Sequence, residues 1–324
     1  MINKEFRLSK GFWHRFFPNS NKLFSPQNIP LEIWDIDKRG KESKWNPGIY
    51  GIEDLTFSNK GDKFVIHGGW ITSNPNKTQY KIYDIHTFDC IDEFEIMEKC
   101  SNPVFTNDDK NLMFCTNNGN IYCYNIGKKL LEKHFSIEKH MFQSINTGKH
   151  NGVIYISGAQ PKAIKDNWTA YFIFEYDIEQ RRGKKLEFSE KRNPNEKVEE
   201  TNAHIHGLAL NKNDLAIMTS IYAGNVDGQS VNESKVYVYN TDTKKIKLIK
   251  ESFKIKGGVF DELGSIVWSQ DGKLAFIGLN EVYIFDMENN LEKTIIHNRA
   301  TSLEFSNCGT GIAVGGSKAK LYKI

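Results

Sequence analysis

The sequence lacks any apolar run near the roughly 18 residues that a membrane-spanning helix needs, so no membrane span is expected. It also lacks a signal core: Met1-Ile2-Asn3-Lys4-Glu5-Phe6-Arg7 breaks the first turn of chain with charge, which argues against secretion. Cysteine is scarce. The five present (Cys90, Cys100, Cys115, Cys123, Cys308) form no Cys-x-x-Cys pair and are odd in number. Unpaired thiols in a reducing, cytoplasmic compartment fit this usage. An excess of one charge is missing too: 43 Lys and Arg against 40 Asp and Glu leave +3. A dedicated nucleic-acid binder is therefore not expected. No apolar period of 3.6 residues persists beyond a turn or two, which excludes a helical fold. At 324 residues, 39% hydrophobic and 12% aromatic, the chain is neither disordered nor one ordinary core of roughly 100–150 residues.

What is there is a repeat. A β-rich stretch ends in an aromatic and a polar residue at Trp34-Asp35, Tyr83-Asp84, Tyr124-Asn125, Tyr176-Asp177, Tyr239-Asn240, Phe285-Asp286 and Tyr322-Lys323, at intervals of 49, 41, 52, 63, 46 and 37 residues. Before each pair stands an apolar strand, a polar turn and another apolar strand. The clearest copies are Leu55-Thr56-Phe57-Ser58-Asn59-Lys60-Gly61, Ile266-Val267-Trp268-Ser269-Gln270-Asp271-Gly272 and Leu303-Glu304-Phe305-Ser306-Asn307-Cys308-Gly309. Strands rich in Val, Ile, Tyr and Phe between turns rich in Gly, Asn and Asp give a four-stranded antiparallel unit. Asn118-Gly119 reads as a type I′ hairpin turn.

Trp34-Asp35 at the end of a third strand, the Phe-Ser-x-x-Gly first turn and the spacing near 40–50 residues resemble the WD-repeat β-propeller family over nearly the whole chain. Only one copy has a literal Trp-Asp, and the Gly-His dipeptide that opens many family repeats is missing, so WD-repeat-like is the fitting term. The resemblance implies an all-β, single-domain, seven-bladed propeller over 1–324, with blades at about 12–46, 50–98, 101–138, 141–190, 201–254, 258–297 and 299–324. The last has only three strands. The orphan strand Asn3–Leu8 is expected to supply its fourth, because closure by both termini leaves no open seam.

In such a unit, second-to-third-strand connections and blade-to-blade linkers share one side. The long ones are near Gly68–Gln79 in blade 2, Ser157–Thr169 in blade 4 and Ile221–Ser234 in blade 5, with linkers Ser43–Gly51 and Lys191–Thr201. They carry Trp45, Tyr50, Trp70, Trp168 and Tyr222, aromatics of the kind that anchor interfaces. His206, near the start of an innermost strand, borders the same side. These residues mark a partner-binding face on a non-enzymatic, probably monomeric, scaffold for a protein or peptide. The opposite side carries basic turns at Lys38, Arg39 and Lys41, Lys128 and Lys129, Arg181, Arg182, Lys184 and Lys185, and Lys244, Lys245 and Lys247, which read as solubilising charge or, in a weaker reading, an anion or nucleic-acid patch.

Chemistry-bearing motifs are few. His204 and His206 share one side of a strand, but a metal site needs a third ligand, and His67 is the candidate. No Gly-x-Ser-x-Gly, Cys–His arrangement or phosphate loop is present. No catalytic residue, metal or cofactor is expected. The alternative is a lactonase-like propeller hydrolase, its site at the channel mouth among His204, His206 and Glu53.

Overall fold

A computed structural model describes residues 6–8, 13–25, 30–69, 77–147, 152–161, 169–186, 204–226, 229–256, 265–286, 291–316 and 318–324. Among them there are strands and no helix. After β1 (Phe6–Arg7), blade 1 holds β2 (Arg15–Phe16), β3 (Lys22–Ser25), β4 (Leu31–Asp35) and β5 (Gly40–Trp45). Blade 2 holds β6 (Ile52–Phe57), β7 (Lys63–Gly68), β8 (Thr78–Asp84) and β9 (Cys90–Ile96). Blade 3 holds β10 (Val104–Phe105), β11 (Asn111–Cys115), β12 (Asn120–Asn125) and β13 (Leu130–Ser136). Blade 4 holds β14 (Met141–Thr147), β15 (Val153–Pro161), β16 (Thr169–Asp177) and β17 (Arg182–Lys185). Blade 5 holds β18 (His204–Asn211), β19 (Asp214–Val226), β20 (Gln229–Asn240) and β21 (Ile246–Lys256). Blade 6 holds β22 (Ile266–Trp268), β23 (Leu274–Ile277), β24 (Glu281–Phe285) and β25 (Leu291–Ile296), and the chain ends with β26 (Ala300–Phe305), β27 (Gly311–Gly316) and β28 (Lys320–Lys323).

The seven sheets are four-stranded, antiparallel and sequential, with one exception that matters. The last is ordered β1-β28-β27-β26, so the N-terminal strand completes it. Phe6 opposes Leu321 and Arg7 opposes Lys320, and the Leu8 N–H donates to Ala319 O at 3.0 Å. The described pairing is shorter than the expected Asn3–Leu8 strand. Leu8 is buried, and Phe6 meets the Trp34 ring edge-on at 5.5 Å.

Six of the seven aromatic–polar pairs end a third strand, and in blade 6 Phe285 ends β24 with Asp286 just beyond it. The polar member has a local task. Asp35 Oδ1 accepts the Lys38 N–H, Asp84 Oδ1 those of His86 and Thr87, Asn125 Oδ1 that of Lys128, Asp177 Oδ1 that of Gln180, and Asn240 Oδ1 that of Thr243. Short Asx side chains close their own turn in this way. Four positions later, Arg39, Phe88, Lys129, Arg181 and Lys244 take positive φ between 49° and 62°, which returns the chain antiparallel. The first turn of each blade is held differently. The Ser58 hydroxyl donates to Asp62 and accepts the N–H of Asp62 and Lys63, and Thr106, Ser269 and Ser306 accept the corresponding later N–H in blades 3, 6 and 7.

The two turn types then lock together within a blade. Ile36 donates its N–H to Asn21 O, Ile85 to Asp62 O, Ile126 to Lys110 O, Ile178 to Gly152 O, Thr241 to Asn213 O and Ile324 to Thr310 O. First turns and third-to-fourth turns therefore share one side, and the remaining connections lie at the other ends of the strands.

Two compact units divide the chain: Met1–Gly48 with His206–Ile324, and Ile49–Ile205. In the first, facing blades bury Met218, Phe253, Phe276 and Phe285 between blades 5 and 6, Ile284, Leu303, Ile312 and Val314 between 6 and 7, and Leu8, Phe16, Leu23 and Ala313 between 7 and 1. In the second, an aromatic stack joins blades 2 and 3. Phe94 lies 3.8 Å from Tyr124 and 4.9 Å from Tyr80, which is 4.9 Å from Phe114. Full burial of one such side chain contributes roughly 1.5–3 kcal/mol. Blades 3 and 4 bury Met113, Cys115, Ile154, Phe172, Phe174 and Tyr176.

Three details depart from expectation. Only Gly119 of Asn118-Gly119 has positive φ, 74°. Its N–H returns to Thr116 O, so the hairpin closes through a single left-handed glycine and not through type I′. A Cβ there would lie 2.4 Å from Ile137 O. In blade 4 the Ser157–Thr169 connection is partly ladder, because β15 continues to Pro161 opposite Thr169. In blade 5 the Ile221–Ser234 connection is almost wholly ladder: Ile221 pairs with Glu233 and Val226 with Gln229. Val231, Phe253 and Ile255 supply buried side chains along this extension, so pairing satisfies backbone groups that a loop would leave to water.

Candidate functional site

In the unit of blades 2–4, linkers and second-to-third-strand connections meet. A Cβ on Gly68 would stand 2.5 Å from Gly51 O. Cys100 bridges Thr116, and the Asn117 N–H donates to Lys99 O at 3.2 Å. In the other unit, the Leu279 N–H donates to Lys254 O at 2.8 Å, and a Cβ on Gly316 would be 2.4 Å from Arg299 O. Within each unit, then, the connections singled out by length occupy the side opposite the Asx turns.

The aromatic candidates differ in what they do there. Tyr50 is 70% exposed. Trp45 ends β5 and packs its ring 6.1 Å from Phe24, so part of it supports the base of its own linker. Tyr222 lies in β19. Trp70 and Trp168 fall outside the described residues, as does the Lys191–Thr201 linker. Other apolar side chains join Tyr50 on this side: Met97 in the blade 2–3 linker, 65% exposed, Met141 at the start of β14, and Ile296 at the end of β25.

His206 is buried on β18, and its backbone carbonyl accepts a hydrogen bond from Ser265 Oγ at 3.2 Å. His204, two residues earlier, meets Tyr171 edge-on at 4.9 Å. Burial lowers its pKa to about 4, favouring the neutral ring. His67 is fully buried, stacks on Tyr80, and has Nε2 3.6 Å from Glu53. Among the described residues, no group of three or more His, Cys, Asp or Glu is placed to hold a metal ion.

One polar hub escaped the sequence reading. Glu98, in the blade 2–3 linker, accepts hydrogen bonds from Asn118 (3.1 Å), Asn120 (2.9 Å) and the Tyr122 hydroxyl (2.6 Å). Desolvation alone would raise its pKa, but these donors and Thr116 outweigh it and hold the carboxyl below its usual range. The hub fastens a linker to the short blade 3 hairpin. Its signal was the pair of asparagines in Asn117-Asn118-Gly119-Asn120, whose amides need acceptors that only the fold brings in.

The opposite side is less basic than its turns suggest. Lys129 pairs with Asp92 of blade 2 at 3.1 Å, and Arg181 with Glu132 of blade 3 at 3.1 Å. Lys38 pairs with Asp35 and Lys41 with the buried Glu32. Exposed pairs of this kind contribute roughly 0–1 kcal/mol each, but they neutralise charge that a polyanion would need.

No known family model matches the chain, and no curated protein sequence does. Among solved structures, the chain is similar to the β-propeller domain of Cps50 (Swd1) from Myceliophteria thermophila, with 13% identity, a TM-score of 0.66 and coverage of 100% of both chains. No helix among the described residues is long and apolar enough to cross a membrane. The chain has the fold of a seven-bladed, WD-repeat-like β-propeller.

Proposed function

We propose that this propeller is a non-enzymatic interaction scaffold that holds a protein or peptide partner on the side built by the connections of blades 2, 4 and 5. The observation that carries the reading is the exposure of large apolar side chains on that side, above all Tyr50 at 70%. Loops fixed on a rigid framework are where binding tends to reside, and a partner that covers such side chains buries apolar area at little conformational cost. A standard interface needs about 800 Å² per partner. Trp45, Tyr50, Trp70, Trp168 and Tyr222 are the proposed anchors, with His206 beneath them. Five free cysteines, two of them buried, support residence in a reducing compartment. The test is affinity capture from the native host with wild type and a Trp70→Ala/Trp168→Ala/Tyr222→Ala variant. Partners lost with the variant support this face, and equal recovery refutes it.

A further inference from the structure

Blade 5 is built to a different scale from blade 6. β19, β20 and β21 run 13, 12 and 11 residues, against four and five in β23 and β24. Both blades are levelled at their third-strand ends, Asn240 and Phe285, so the surplus projects as a three-stranded tongue on the connection side. At 3.3 Å per residue it overhangs the Leu279-Asn280 turn of blade 6 by roughly 20–25 Å. The step between tongue and turn leaves a groove of ≈ 530 Å³.

Its apolar surface comes from Ala223 on the tongue and from Leu279 and Ile296 on blade 6. Ile296 is 72% exposed. Its charges are unevenly committed. Glu233 accepts a hydrogen bond from Ser252, and Glu281 one from the Tyr283 hydroxyl. Lys254 stands cross-strand from Glu233, yet neither it nor Lys250 forms an ion pair among the described residues. Lys250 lies over the Tyr283 ring at 5.0 Å. Lys256, two residues beyond Lys254 and exposed, extends the basic stripe along the same face of β21. Ser252 has φ 48° where the β20–β21 register shifts, so the bend at the groove is held against a local backbone cost.

We infer that this groove binds an acidic, extended segment of a partner protein, with one aliphatic side chain seated against Leu279 and Ile296 and carboxylates paired with Lys250 and Lys254. Charge complementarity selects the acid, because the ammonium groups lack ion-pair partners while each carboxylate already has a hydroxyl. The apolar lining selects a peptide over a nucleic acid. Its residues are aliphatic, and the one ring, Tyr283, is covered by Lys250, so no stacking platform is offered to bases. The groove uses none of the aromatic anchors proposed above and stands independently of them.

The probe is a fluorescein-labelled peptide of alternating Glu and Leu, read by fluorescence anisotropy against the full chain, with a Lys/Leu peptide and a single-stranded oligothymidine as comparisons. The Glu/Leu peptide is expected to bind saturably and to weaken as salt rises. Lys250→Glu/Lys254→Glu and, separately, Ile296→Asp are expected to weaken it at least tenfold with unchanged circular dichroism. Lys245→Glu/Lys247→Glu makes the same change of net charge at the far turn of blade 5 and is expected to leave affinity intact. The inference is overturned if the groove variants bind as wild type does, if the far-turn variant loses as much, or if the Lys/Leu peptide or the oligonucleotide binds as tightly.

Discussion

Replacing Asp109 removes a clasp between the first turns of blades 2 and 3. Its carboxylate accepts the Asn59 N–H at 2.7 Å, the Asn59 side-chain amide at 2.7 Å and the Lys60 N–H at 2.9 Å. Asp109 is 6% exposed and sits at φ 58°. Hydrogen bonds to a charged group contribute roughly 1.5–3 kcal/mol each. Asn59 and Lys60 are exposed and recover water when the clasp is lost, which reduces the net effect of all three to about 2–3 kcal/mol. Alanine adds a left-handed backbone cost of about 1 kcal/mol. Unfolding entropy of about 2.1 cal/mol/K per residue over 324 residues is roughly 0.7 kcal/mol/K. Asp109→Ala is therefore expected to lower Tm by about 4–6 °C and Asp109→Gly, which relieves the backbone, by about 3–4 °C. Urea titration of Asp109→Gly, Asn59→Ala and the double variant should give a coupling energy of about 1–2 kcal/mol. A Tm within 1 °C of wild type, or a coupling below about 0.3 kcal/mol, would refute the clasp.

Three further outcomes are expected. His204 in the fold has its pKa depressed to about 4 from 6.5. Acidification through this window protonates the unfolded chain first, so stability falls by roughly 3 kcal/mol from pH 6.5 to 4 on this account. His204→Gln should remove that step in urea midpoints measured across the range, and an unchanged step sinks the assignment. Deleting residues 1–8 removes the buried Leu8 and the Phe6–Trp34 contact and bares the edge of β28. Two apolar side chains at roughly 1.5–3 kcal/mol each predict a Tm drop of several degrees and concentration-dependent light scattering; an unaltered melt would contradict closure by both termini. Cys308, exposed, accepts hydrogen bonds from Ser306 and Thr310 that lower its pKa to about 7, while burial raises that of Cys90. Iodoacetamide at pH 7 should label Cys308 at least tenfold faster than Cys90 in timed mass spectrometry, and Ser306→Ala should slow it.

The repeat itself was legible because its determinants are local. An aromatic–polar pair, a Ser or Thr turn and period-two strands each act within a few residues, so seven sheets and their chain order follow from the order of these signals. The fate of the N-terminal strand was legible for a simpler reason: one sheet was short of a strand and one strand had no sheet. The tertiary structure decided everything that depends on which side chains meet across blades. Asn59 finds Asp109 fifty residues away, Glu98 gathers donors from a neighbouring hairpin, and Lys129 and Arg181 lose their apparent freedom to Asp92 and Glu132. The blade 5 tongue was hidden because its polar, glycine-containing stretch around Asn225 resembles a loop, while the pairing that makes it a sheet comes from β21, some twenty residues further along. Turn chemistry is written in consecutive residues, whereas hydrogen-bond partners, ion pairs and grooves are set by packing, which no short window of sequence contains.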